Sequence, residues 1–400
     1  MQTGTDRTQV VLVIAAGIIG ACQIGKVAIA VPLLRDDLGL SLVAISWIAG
    51  AYALLGVVGG LVAGFVVSHF SLRKVVIAGL GLIALGNLAG VVVASPTMLI
   101  ASRVVEGIGF LGMVIACPTL LRTLVTPRTQ QVVFALWASY VPVGGMLMLL
   151  VGPVIMQGDW RWLWVFNGAL AAAHALAMIA IRPAASEATV AIKRPTGQDV
   201  LAVFRSGVPV LLATAFTLYS IQYFALSVFL PAFLIERMDL SLAAAGILSA
   251  FVLGASAAGN ICAGFVLRRG AVLWVVFLVV FATIGLAGLV IFSDRSPVFL
   301  VAAASAVCLG VTGLLPSSVI VSMPRFAPTS QRLALSMGLV QHASSIGQLA
   351  GPAVLAFWVE WRGWSSVPWL FGLISLFGLT TAILLRRVLQ KVVPASETGV

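Results

Sequence analysis

Three residues that carry charge at neutral pH, Lys26, Arg103 and Glu106, fall well inside long apolar runs. A charged side chain near the centre of a bilayer costs on the order of 2.5 to 3.5 kcal/mol, so such residues face one another or a wet cavity rather than lipid. Arg103 and Glu106 are three apart, hence on one face of a helix. At about 1.5 Å of rise per residue, Lys26 lies roughly 6 Å outward of the middle of its run, Glu106 roughly 4 to 5 Å and Arg103 roughly 9 Å. All three therefore share one membrane layer, and two roles fit them. One is a buried ion triad that pins the first apolar run against the fourth. The other uses the surplus of two cations over one anion: Lys26 and Arg103, with Gln23 beside them, bind an anionic organic solute. Glu106, the one embedded carboxylate, then exchanges a proton.

A second set is uncharged. Tyr219, Gln222 and Tyr223 in one run, and Gln341, His342, Ser344, Ser345 and Gln348 in another, are hydroxyls, amides and aromatic edges at helical spacing. They can shape a binding pocket, or hydrogen-bond one helix to the next. His342, whose imidazole can take up or release a proton, is the alternative proton carrier, whereas His174 reads as a packing residue. Gly152-Pro153 and Gly351-Pro352 have a backbone role, as hinges for rocking between two open states. No cluster of His, Asp or Cys has metal-ligand spacing, and Asp36-Asp37 lacks a third carboxylate, so neither a metal, a cofactor nor an enzymatic activity is expected. The four cysteines all lie inside apolar runs and read as small packing residues.

The elements that must position these groups follow from composition. Of 400 residues, 61% are hydrophobic and 9% charged, with a mean hydropathy of +1.15, which excludes a water-facing surface. Pro, Gly and charge divide the chain into twelve apolar runs, from 9 to 34 through 364 to 385, each long enough to cross a bilayer as a helix. Short links make neighbours antiparallel, and the longer stretch 182–206 separates residues 1–181 from 207–400, six runs in each. With the N-terminus inside, 16 basic residues fall in inner segments and 5 in outer ones. Both termini are then cytoplasmic, in the cell's inner membrane. The net charge of +11 is scattered singly rather than gathered into a patch, which argues against a nucleic-acid partner.

The halves are also repeats. Sliding the second back by about 200 residues lays Ala263-Gly264-Phe265-Val266 on Ala63-Gly64-Phe65-Val66, and Leu240-Ser241-Leu242 on Leu40-Ser41-Leu42. Gly351-Pro352 falls on Gly152-Pro153 after a small gap. Repeats of the same orientation imply a pseudo-two-fold axis along the membrane normal and a cavity between the halves. The fold class is an all-α integral membrane protein of twelve transmembrane helices.

The segment from Gly64 to Lys74, with Gly64, Arg73 and Lys74 in place but Ser68 and Ser71 at the acidic and second glycine positions, resembles the signature loop of the major facilitator superfamily. Arg103-Val-Val-Glu106-Gly107-Ile-Gly109 is similar to its Arg-x-x-Gln-Gly-x-Gly element. The resemblance covers nearly the whole chain and implies a secondary active transporter, in which Gly64, Arg73 and Lys74 act in the conformational change. Gly152-Pro153, Trp47, Ala51 and Tyr52 resemble the drug/proton exporters. A basic residue in the first span, with Pro118 through Trp137, looks more like the cyanate and organic-anion permeases. The expectation is a monomer moving a small anionic organic solute with protons, the alternative a proton-driven efflux pump for hydrophobic drugs.

Overall fold

The computed structural model describes residues 6–67, 69–93, 95–181, 196–327 and 329–392. Ser68, Pro328 and linker residues 182–195 lie outside these. Among the described residues there is no strand. The first half is built from α1 (Arg7–Leu38), α2 (Leu42–Gly50), α3 (Leu54–Val67), α4 (Leu72–Val91), α5 (Pro96–Leu124), α6 (Pro127–Ala138), α7 (Tyr140–Met156) and α8 (Arg161–Ala180). A short helix, α9 (Gly197–Ser206), precedes the second half: α10 (Val208–Met238), α11 (Leu242–Arg268), α12 (Leu273–Ile291), α13 (Val298–Thr312), α14 (Leu314–Phe326), α15 (Ser330–Arg362) and α16 (Val367–Val392).

These make twelve spans, because three consist of two helical pieces. A 3-10 turn over Ala51–Ala53 joins α2 to α3, α6 and α7 meet at a 50° bend, and α13 runs into α14 at Gly313. Apolarity alone identifies ten spans, and the bent pair is an eleventh. The twelfth, α15, is 33 residues long and carries four Ser, three Gln and one His, which dilute its hydropathy. It is an inner helix, packed on α10 and against α2 and α3 of the other half.

Equivalent hydrogen bonds start equivalent helices: Ser41 and Ser241 each accept from the backbone N–H three residues on, at 3.2 and 3.3 Å. Tertiary packing repeats as well. The contacts of α1 with α7 and of α4 with α8 in the first half recur as α10 with α15 and α12 with α16 in the second. The halves meet along two seams, α2 and α3 with α15, and α7 with α11, and along α1 with α10.

Three of the expected elements take a definite form. Linker residues 196–206 are not plain loop: Thr196 and Asp199 form a capping box, and Gly207 at φ 70° ends α9 in the left-handed region. The Gly-Pro elements do not break their helices, since Pro153 and Pro352 lie inside α7 and α15. Their glycines allow close packing: a Cβ at Gly351 would lie 2.4 Å from the Ile221 carbonyl oxygen, and one at Gly152 2.8 Å from a methyl of Ile29. Arg73 is buried and binds within its own half, donating to Gln9 Oε1 at 2.6 Å, to the Ile181 carbonyl at 2.5 Å and to that of Met178. It fastens the start of α4 to α1 and the end of α8, while Lys74 is exposed and Gly64 lies in α3.

Candidate functional site

Between the halves lies a cavity of about 1290 Å³. Its mouth is on the side of the termini, at His69, Arg268 and the apolar face of α9 (Val203 and Phe204). From Val208, Tyr223 is about 22 Å along α10 at 1.5 Å per residue, so the cavity reaches the middle of the membrane. The deep wall is aromatic. Tyr140 stacks on Trp137 with ring centres 4.5 Å apart and planes at 17°. Opposite them on α10, Phe216, Tyr219 and Tyr223 form a ladder with successive centroids 5.7 Å apart. Of the four tyrosines in the chain, three line this cavity. Among the described residues lining it there is no Asp or Glu.

On the far side the halves are joined. Arg35 of α1 pairs with Glu236 of α10, whose other oxygen accepts from Trp364 Nε1 at 3.1 Å. Glu360 of α15 caps the start of α2 by accepting from Val43 N at 2.9 Å. Deeper along the seam, His342 Nδ1 lies 3.3 Å from the Gly56 carbonyl oxygen.

Lys26, Arg103 and Glu106 come together, but not at the cavity. Each is 0% exposed. Lys26 Nζ donates to Glu106 Oε1 at 2.8 Å and to Asn87 Oδ1 at 2.6 Å, and sits 4.4 Å from the centre of the Trp164 ring. Arg103 pairs with the other oxygen of Glu106, donates to the carbonyls of Gln23 and Ile48 at 2.8 and 3.2 Å, and stacks over Tyr52 at 4.6 Å. Gln23 is itself spent: it donates to Asn167 and the Ile19 carbonyl and accepts from Asn87. The network joins α1, α4, α5 and α8, with both carboxylate oxygens occupied, as a buried charge requires. The expected anion ligands Lys26, Arg103 and Gln23 are thus sealed off in this conformation, because protein donors and acceptors meet every charge that a solute would have met.

The uncharged set divides. Tyr219 and Tyr223 line the cavity; Gln222, on the opposite face of α10, is fully buried, with Nε2 3.5 Å from the Cys308 sulfur. His342 belongs to the seam, whereas its neighbours Gln341 and Ser344 face the cavity. Sequence reasoning missed Trp137, Tyr140 and Phe216. The rarity of tyrosine in this chain was a signal that could have singled out Tyr140.

Comparison with known proteins bears on this arrangement. A family model described as Major Facilitator Superfamily matches residues 12–332. The methylenomycin A resistance protein of Bacillus subtilis is 26% identical over 174 residues, 43% of this chain and 37% of that protein. The puromycin resistance protein pur8 of Streptomyces alboniger is 28% identical over 165 residues, 40% of this chain and 32% of that protein. The cephamycin export protein CmcT of Amycolatopsis lactamdurans is 27% identical over 169 residues, 42% and 35%. The matched stretches therefore span about a third of these relatives. A crystal structure of a bacterial homolog of the human lysosomal transporter Spinster, in an inward-facing and occupied conformation, superposes with a TM-score of 0.79 at 14% identity, covering 98% of this chain and 99% of that one.

Proposed function

The chain belongs to the Major Facilitator Superfamily, and on that footing we propose that it exports hydrophobic organic compounds by alternating access, with protons as the driving ion. The observation that carries this reading is the cavity: about 1290 Å³, walled by stacked aromatic rings and open on the side of the termini. Such a wall gains from desolvating large apolar rings and offers few fixed hydrogen bonds that would demand one shape of solute. The resistance and export proteins among its relatives support the same direction. In this reading the termini are cytoplasmic, and a single copy suffices, since one chain encloses the whole cavity. The moving bodies are residues 1–181 and 207–400, rocking along the α2–α15 and α7–α11 seams.

Protons would couple through the Lys26, Arg103 and Glu106 network. Arginine keeps its proton, so a change in the net charge of the trio falls to Lys26 or Glu106. Opening the far side parts α1 from α10 and brings water to the layer where these groups sit. That exchange of surroundings makes proton affinity depend on conformation. The first expectation, a small anion held by Lys26 and Arg103, has less support because no solvent reaches either residue from the open side.

The test uses purified protein in liposomes with an imposed pH gradient and a fluorescent lipophilic dye. Dye should move against its gradient only when the proton gradient runs the opposite way, and the paired substitution Lys26→Met with Glu106→Gln should leave binding but uncouple movement from pH. Dye movement indifferent to the proton gradient would overturn the coupling. No binding of any lipophilic compound would overturn the export reading.

A further inference from the structure

The signs of the charges around the cavity say which hydrophobic compounds it takes. The chain has 12 acidic residues, and Glu106 alone of them lies deep within a span, since Asp36, Asp37, Glu236 and Glu360 sit at the ends of theirs. Both oxygens of Glu106 are bound to Lys26 and Arg103. Asp199, the acid of α9 at the mouth, is held by Thr196 at 2.8 Å and faces Arg332 at 3.4 Å. Among the described residues that line the cavity the charged one is Arg268, at the mouth.

Behind the wall the sign is the same. An aromatic column runs from the ion network to the cavity: Arg103 over Tyr52 at 4.6 Å, Tyr52 on Phe110 at 4.7 Å, and Phe110 on the cavity-lining Tyr140 at 6.3 Å. With all three groups ionised, the network at the far end of that column carries a surplus positive charge in low dielectric, where screening is weak. A permanent cation entering the cavity would give up its water, meet no carboxylate and sit against a positive field. Ring faces return part of this loss, but Trp137 and Tyr140 turn one face each toward the other.

We infer that this cavity excludes permanently cationic compounds and accepts aromatic compounds that are uncharged or anionic. The inference rests on the export reading and narrows it. Three probes share one tricyclic ring and differ in charge: 9-anthracenemethanol, anthracene-9-carboxylate and 9-anthracenylmethyl-trimethylammonium. Binding to the purified full-length protein in detergent, read by anthracene fluorescence and by the shift in Tm, should rank the alcohol and the carboxylate at least tenfold tighter than the cation. Gln341→Glu, nearly isosteric on the cavity wall, should bring the cation's affinity up roughly tenfold and weaken the carboxylate's. Ser344→Asp, on the same wall, serves if Gln341→Glu does not fold. Equal binding of cation and alcohol, or failure of a new carboxylate to recruit the cation in a folded variant, would overturn the inference while leaving export of hydrophobic compounds standing. If none of the three probes binds, the aromatic-cavity reading itself falls, and the inference falls with it.

Discussion

The two halves share a fold and a packing scheme but bury different chemistry. The first holds Lys26, Arg103, Glu106, Asn87, Gln23 and Asn167 in one saturated network across four helices. The second buries uncharged groups, and Ser249, Ser305 and Ser318 are enclosed without a hydrogen-bond partner among the described residues. A saturated ionic network tolerates no deletion, because each partner removed strands another in low dielectric. Lone hydroxyls between helices hold little, and their neighbours can slide. The duplication has therefore produced one half fixed by charge and one fixed by shape.

The largest expected effect comes from breaking the charged half at its centre. Glu106→Ala leaves two buried cations and should destabilise the protein by about 3 to 5 kcal/mol. Thermal unfolding in detergent would show it, and the pair Lys26→Met with Glu106→Gln, which strands one cation, Arg103, instead of two, should recover part of the loss. A small effect of Glu106→Ala would mean that water reaches the network.

The repeat-related glycines sharpen the contrast in shape. A methyl at Gly351 meets a carbonyl oxygen at 2.4 Å, whereas one at Gly152 meets the end of a side chain at 2.8 Å. Gly351→Ala should cost about 1 to 3 kcal/mol and Gly152→Ala visibly less, since backbone yields less than a side chain. Equal shifts in Tm would remove this distinction. Next in size, Tyr223→Ala should weaken binding of an uncharged aromatic probe roughly tenfold and also lower Tm, because the ring lines the cavity yet is buried against Tyr219 and Phe224. In the uncharged half, Ser305→Ala should change stability by less than about 0.5 kcal/mol, or raise it, as the hydroxyl there has nothing to lose.

The smallest effect is a pH dependence at the mouth. The Thr196 backbone N–H and hydroxyl, with Arg332 beyond them, hold the Asp199 carboxyl below the usual carboxylate range. A group lowered in this way contributes above its unfolded value, about 3.9, and the contribution fades as pH falls through the lower folded one. Docking of α9 should thus be constant from pH 5 to 8 and loosen only under strong acid, and Asp199→Asn should abolish the acid dependence. Protease cleavage near Thr196 across a pH series would report it.

Much of the architecture is legible in the chain because lipid imposes length and apolarity, and twelve spans, their repeat and their antiparallel order all follow from that constraint. The meeting of Lys26 with Glu106 is legible too, since intramembrane charge seeks its complement. What the residues do not tell is which way such a group turns. Lys26 reads equally as ligand or as strut until Asn87 and Trp164, ordinary residues of α4 and α8, are seen to finish its coordination. Tyr140 is hidden for the opposite reason: its importance comes from the bend after α6, which no local pattern announces. His342 is visible as a titratable group, but its assignment to the seam depends on the register between α15 and α3.

Arg35 and Glu236, joined on the far side of the cavity, are 201 residues apart, one more than the 200 that relates Ser41 to Ser241, so each sits one residue from the other's twin position in the repeat. A symmetry axis confronts each site near it with its own copy. In a pair of separate, identical subunits any contact beside the axis would be made twice, once on each side of it. Tandem fusion lets the copies diverge, so this clasp need be made only once: the acid is kept at both twin positions, Asp36 and Glu236, while the twin of Arg35 is Ile235.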